Sequence, residues 1–310
     1  MQAFSDRLDA AVRRRGNPVL VGLDPRAEML PDGIFLNRGG ADLASQARAY
    51  KEFCCGIVDV VAPLVAAVKP QSAFFEQLGP PGMAALAETI EYAHAKGLLV
   101  ILDVKRNDIG STATAYAKGL LGSGGESPWG ADAVTVSPYL GDDSLKPFVE
   151  VGCDRAAGVF VLVKTSNPGG RMFQDLLVDG RPLYRHVAAH VESLAKQTAA
   201  RCGYGAIGAV VGATYPEQLG ELRAEMPHTW FLVPGFGSQG GTARDVAEAF
   251  DSHGTGAIIN SSRGIIFAHT RSPYAERFGA ARWQEAVEAA TRDMIDQLRA
   301  DTPAGKLAGS

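Results

Sequence analysis

Residues Leu98–Arg106 read LLVILDVKR, and the chain continues NDIGST to Thr112. The aliphatic run Leu98–Leu102 leaves the segment no polar face. A strand that is apolar on both faces is buried on both, as in a parallel sheet covered by helices and unlike an antiparallel sheet open to water. The run changes character at Asp103 and Lys105. Alternation along a strand sends those two side chains to one face and Val104 to the other. A buried strand thus ends in opposite charges, and Asp108 follows in the loop, with Arg106 and Asn107 beside it.

Seven further runs of the same kind flank this one: Pro18–Pro25, Ala66–Ala73, Ala133–Pro138, Ala157–Asn167, Gly208–Thr214, Trp230–Gly237 and Gly256–Arg263. Helical patterns separate them. Ala85–Gly97 has an apolar period near 3.6 and a Lys-Gly stop, and Tyr184–Ala200, Pro216–Met226 and the amphipathic Ala281–Ala300 behave alike. Eight strand–helix units predict an α/β fold of the (β/α)8 TIM-barrel type, one domain over residues 1–310 with inserted loops. An open doubly wound sheet has a similar strand count, but the glycine fingerprint GxGxxG expected after its first strand is missing here. The Gly/Pro-rich segments 27–43, 121–130 and 168–179 read as loops, and Thr302–Ser310 (TPAGKLAGS) reads as a frayed tail.

Hydrophobic residues make up 46% and charged residues 21%, which excludes a wholly disordered chain. A net charge of -4 gives no basic bias, so a dedicated nucleic-acid binder is not expected. Cys54, Cys55, Cys153 and Cys202 lack CxxC spacing and read as buried thiols of a reduced, cytoplasmic protein. His186 and His190 share a helix face, but no third ligand accompanies them, so no metal is expected. No apolar run is long enough for a membrane span, and the N-terminal segment lacks the apolar core of a secretory signal.

In a barrel of this kind the strand C-termini and the loops after them build the active site. Strand one ends in Asp24 (VGLDP), strand two carries Lys69 (AAVKP), and strand three supplies Asp103, Lys105 and Asp108. Such density of charge at one mouth costs stability and suits proton transfer and electrostatic catalysis. After strand seven comes Pro234-Gly-Phe-Gly-Ser-Gln-Gly-Gly241, and after strand eight Asn260-Ser-Ser-Arg-Gly264. Glycines there let backbone N–H groups approach a phosphate, with Arg263 and Gln239 as further donors. Strand five ends in Lys164-Thr-Ser-Asn-Pro168, either a reader of a planar polar ligand or a plain turn; the face that Lys164 takes stays open.

The segment DVKRNDIGST, with Asp24 in VGLDP, Lys69 in VKPQ, KTSNPGG, PGFGSQGG and SSRG, resembles the orotidine 5′-phosphate decarboxylase family, in particular its longer bacterial branch, type 2. The resemblance spans all eight strand ends. It implies a cofactor-free lyase of pyrimidine (UMP) biosynthesis that converts orotidine 5′-monophosphate to uridine 5′-monophosphate and CO2, as a homodimer with shared active sites. It further implies that Lys105 protonates pyrimidine C6 and that Asp103 lies by the substrate carboxylate. Lys69 and the partner subunit's Asp108 would complete the charge array. Asp24 and Lys69 would contact ribose hydroxyls, Ile109 would bind substrate, and Thr112 would reach across the dimer. Ser166 would bond the pyrimidine amide edge, Gln239 and Arg263 would hold the phosphate, and Pro234 would begin the closing loop. The D-x-K-x-x-D pattern alone also fits a sugar-phosphate decarboxylase, metal-assisted or not, or a Schiff-base aldolase using Lys69 or Lys105 on the same barrel.

Overall fold

The computed structural model describes residues 2–31, 33–34, 42–237 and 241–309. Eight parallel strands close on themselves: β1 (Val19–Leu23), β2 (Ala67–Pro70), β3 (Leu99–Arg106), β4 (Ala133–Val136), β5 (Gly158–Lys164), β6 (Ile207–Val211), β7 (Phe231–Val233) and β8 (Ala257–Ser261). Each strand pairs with its sequence neighbours, and β1 closes the cylinder by pairing with β8 through Leu20↔Asn260 and with β2 through Gly22↔Lys69. Every strand falls inside one of the eight runs read from sequence, apart from Ile207 at the start of β6.

Helices cover the outside: α1 (Phe4–Arg15), α2 (Leu43–Val61), α3 (Gly79–Ala95), α4 (Gly110–Leu120), α5 (Asp142–Asp154), α6 (Leu183–Gln197), α7 (Pro216–Glu225) and α8 (Trp283–Asp301). After β7 the helical layer is a 3-10 segment, Arg244–Ala249, rather than an α-helix. Helix α3 starts earlier than its apolar period suggests, because Pro80 and Pro81 occupy its first turn, where no N–H bond is lost. No helix among the described residues is long and apolar enough to cross a membrane.

Helix α1 lies across the N-terminal ends of the strands. Arg7 bonds Asp132, just ahead of β4, and the carbonyl of Ala156, just ahead of β5; Arg15 bonds the carbonyl of Val65, ahead of β2. Phe4 packs over Gly158, where a Cβ would lie 2.2 Å from its ring, and meets Phe160 edge-on at 6.0 Å. The barrel is therefore floored by a helix and open at the other end.

Three readings of the sequence need correction. The tail is not frayed: Pro303–Gly309 forms a 3-10 helix, Ala304 and Leu307 are buried, and Lys306 bonds the carbonyl of Ser252. Small residues let this segment lie against Gly254, whose φ of 82° and lack of Cβ leave room for the carbonyl of Pro303. The segment 168–179 is not plain loop. It holds a 3-10 turn (Pro168–Gly170), a helical turn (Arg171–Gln174) and one strand of a small hairpin, Leu177–Val178 against Arg181–Pro182. Of the four thiols only Cys54 is buried, while Cys153, in the last turn of α5, is exposed. Of the segment 27–43, residues Ala27–Met29 form a 3-10 turn and Leu43 begins α2, while residues 32 and 35–41 lie outside the described residues.

Candidate active site

The open end of the barrel holds a cavity of about 810 Å³. Asp24, Lys69, Asp103, Lys105, Ser166, Pro234 and Arg263 all line it. Strand β2 delivers Lys69 to its floor, 4% exposed, with Nζ 2.8 Å from Asp103 Oδ2. Lys105 comes from the end of β3 and sets Nζ 2.5 Å from Asp103 Oδ1, while 46% of its side chain is open to solvent. One carboxylate thus separates two ammonium groups, one buried and one facing the cavity.

Simple alternation does not produce this arrangement. The pairing of β3 with β4 runs through Ile101↔Ala133 and Leu102↔Val134, then resumes only at Arg106↔Val136. The bulge between them places Lys105 at a φ of 41°, a left-handed conformation that side-chain-bearing residues seldom adopt and that collects at functional sites.

Asp103 accepts four hydrogen bonds. Beyond the lysines, Gln71 Nε2 donates to Oδ2 at 3.0 Å and Thr135 Oγ1 to Oδ1 at 2.8 Å. Burial alone would push its carboxyl up, but the charges of Lys69 and Lys105 and the bonds they donate hold it well below the usual carboxylate range. Burial likewise works against the Lys69 ammonium, yet the charges of Asp103 and Asp24 outweigh it and raise its pKa. Asp103 and Lys69 therefore hold each other in the charged form.

Asp24 Oδ1 and Asn260 Oδ1 are buried beside the cavity and accept no hydrogen bond among the described residues. They are acceptors suited to ligand hydroxyl groups. Gly22, between them on the lumen wall, has no room for a side chain, because a Cβ there would lie 1.9 Å from Ser262 Oγ. Gly235 and Phe236 after β7, and Ser262 and Arg263 after β8, form the far wall. Gln239 lies outside the described residues.

Asp108, Ile109 and Thr112 do not line this cavity. Asp108 Oδ1 accepts the N–H of Ile109 at 2.9 Å and makes no ion pair with Lys69 or Lys105 among the described residues. Ile109 is 51% exposed, and Thr112 lines a second, outward-facing cavity with Arg106 and Tyr116. Lys164 is turned away from the main cavity and buried; it is ion-paired with Asp175 and sandwiched by the rings of Tyr184 and Tyr215, 5.0 Å from each centroid. It fastens the segment after β5 to the rim, helped by Gln174, which bonds both the N–H and the hydroxyl of Thr165.

Gln71, Thr135 and Asn260 are among the polar cavity residues to which the sequence assigns no individual role. The signal for each was slight: a polar residue two places after Lys69, one hydroxyl within the apolar strand β4, and an Asn-Ser pair closing β8.

A parallel barrel with charge at the C-terminal mouth and glycine-rich loops after strands seven and eight defines an enzyme of the phosphate-ligand class. The model of the orotidine 5′-phosphate decarboxylase / HUMPS family matches residues 17–278, and the chain belongs to that family. It is 58% identical over 301 residues to the orotidine 5′-phosphate decarboxylase of Rhodopirellula baltica, covering 96% of this chain and 100% of that one. It is 41% identical over 281 residues to that of Caldicellulosiruptor bescii, covering 87% and 91%. Among solved structures, Leishmania donovani OMP decarboxylase superposes with a TM-score of 0.74 at 34% identity, over 97% of this chain and 98% of that one.

Proposed function

We propose that Lys69, Asp103 and Lys105 carry the decarboxylation of orotidine 5′-phosphate, the activity to which the chain's family membership assigns it. The observation that supports this most is the half-exposed Lys105 ammonium, 2.5 Å from a buried carboxylate at the floor of the cavity. The bond from C6 to the carboxylate breaks, CO2 leaves, and the electron pair stays on C6. The fixed charge of Lys105 stabilises that pair and then donates a proton to the carbon. Asp103 holds the ammonium in place and lies where it repels the departing carboxylate. No cofactor has a part in this scheme.

The other residues bind and orient. Asp24 and Lys69 take the ribose hydroxyls, Ser166 the amide edge of the pyrimidine, and Arg263 and Gln239 the phosphate, while Pro234 opens the loop that closes over it. Phosphate binding is remote from the breaking bond, so its energy is available for closing the loops and excluding water. An imine mechanism through Lys69 is disfavoured, because a raised pKa keeps its amine protonated and non-nucleophilic. The free cysteines suit a cytoplasmic setting.

Because Asp108, Ile109 and Thr112 face outward, the reading gives them to the neighbouring site of a homodimer. Mixing two inactive variants, Asp108→Asn and Lys105→Ala, under conditions of subunit exchange tests this. Half of the dimers become mixed, with one intact site each, so about a quarter of wild-type activity returns, read as loss of orotidylate ultraviolet absorbance. No recovery on mixing overturns the shared site.

A further inference from the structure

We propose that Thr135 is a positioning residue: its hydroxyl holds the β3 bulge and thereby sets the Lys105 ammonium against Asp103. The proposal rests on the reading that Lys105 and Asp103 do the chemistry.

Thr135 is the one polar residue of β4 and is 1% exposed, on the wall of the catalytic cavity. With regular pairing, Val136 would lie opposite Val104; instead it lies opposite Arg106, so β3 carries two extra residues there. In that gap the backbone of β3 loses its partners on β4. The N–H groups of Val104 and Lys105 turn instead to Thr135 Oγ1, at 3.1 Å and 3.0 Å. The same oxygen donates to Asp103 Oδ1 at 2.8 Å.

A hydroxyl has one proton and two lone pairs. Here both lone pairs are taken by backbone N–H groups, so the proton is committed to Asp103. Three features of the site therefore meet at one atom: the bulge, the left-handed Lys105 backbone at a φ of 41°, and the carboxylate oxygen that receives the Lys105 ammonium. Without the hydroxyl, two N–H groups lose their acceptor, one Asp103 lone pair loses its donor, and the left-handed backbone of Lys105 loses its hydrogen-bonded support. Thr135 bonds the Lys105 backbone but neither cavity ammonium and, in the proposed scheme, not the reacting carbon, so its effect on the reaction passes through Lys105 and Asp103.

The experiment compares Thr135→Val, which keeps the shape and removes the hydroxyl, with Thr135→Ser, which keeps the hydroxyl. Steady-state kcat and KM for orotidine 5′-monophosphate are measured, with active-site concentration fixed by titration with uridine 5′-monophosphate. Thr135→Val is expected to lower kcat by roughly 10- to 100-fold with KM within threefold, and Thr135→Ser to stay within threefold of wild type in both. A merely structural role would lower the titratable site concentration and leave kcat per site unchanged, and that result overturns the proposal. So does a Thr135→Ser variant that falls as far as Thr135→Val. If Thr135→Val does not fold, Thr135→Ser still decides, since a tenfold loss of kcat in that folded variant contradicts a role for the hydroxyl. Lys105→Ala, measured alongside, separates the two levels: retained activity there sinks the reading of the site, whereas its loss together with an unaffected Thr135→Val sinks only the role of Thr135.

Discussion

Two buried aspartates, one near the end of β3 and one just ahead of β4, solve the same electrostatic problem at opposite ends of the barrel. Asp103, near the end of β3, has its two carboxylate oxygens filled by Lys69, Gln71, Lys105 and Thr135. Asp132, just ahead of β4, has its oxygens filled by Arg7, His94 and the N–H of Val100. In both, burial pushes the carboxyl up and partners bring it below its usual range. At the floor the side-chain partners arrive from outside, Arg7 on α1 and His94 on α3, and cover the carboxylate. At the mouth the cations come from the barrel wall, and one of them looks into a cavity. Buried charge alone therefore does not mark a site; a cation left half-open beside it does.

The comparison breaks if the two ends respond alike to mutation. Lys105→Ala should carry the largest effect: kcat falls on the order of 10⁴-fold or more, since both charge stabilisation and protonation are lost. Nucleotide binding stays measurable and the melting temperature little changed. A variant retaining a tenth of wild-type kcat, a barrier change under about 1.4 kcal/mol, removes Lys105 from the reaction.

Asp132→Asn should do the reverse. It leaves Arg7 without its countercharge and costs about 3 kcal/mol in urea unfolding, the lower end of the range for a broken buried pair because a quarter of the Arg7 side chain reaches solvent. The kcat of the folded variant is unchanged. Since the native Asp132 carboxyl titrates below its unfolded value, its contribution is present at neutral pH and disappears as acid drops the pH below about 4 towards the native pKa. The variant's stability should fall less steeply over that window. Some slope persists, because Asp103 titrates in the same direction. An identical acid profile in wild type and variant would contradict the assignment.

The smallest effect belongs to Leu307→Ala, which empties a buried position in the C-terminal 3-10 helix. A loss of about 2 kcal/mol at constant kcat is expected, whereas a truly frayed tail would show none.

The eight strands were legible because a strand covered on both faces must be apolar throughout, and each such run stands out between helical periods. The charges at their ends were legible for the converse reason: Asp24, Lys69, Asp103 and Lys105 interrupt those runs. What escaped depends on contacts between segments. Thr135 is one hydroxyl in a Val-rich strand until β3 bulges against it. The small residues of the tail suggest disorder until Gly254 supplies a surface for them. Asp108 reads as a third aspartate of the mouth, yet the turn into α4 carries it outward. The face of Lys164 is open in the sequence because Lys164 adjoins Thr165 at the strand end, and the structure shows a register shift there, between Leu162 and Lys164, at which alternation fails.

The first and last described helices are both fastened beneath the barrel: α1 seals the strand starts, Arg299 bonds the carbonyl of Gly16, and the 3-10 helix Pro303–Gly309 rests on the loop ahead of β8. A support or tether coupled to an exposed side chain of either helix would therefore lie on the side remote from substrate entry, so the molecule can be anchored without obstructing its own doorway.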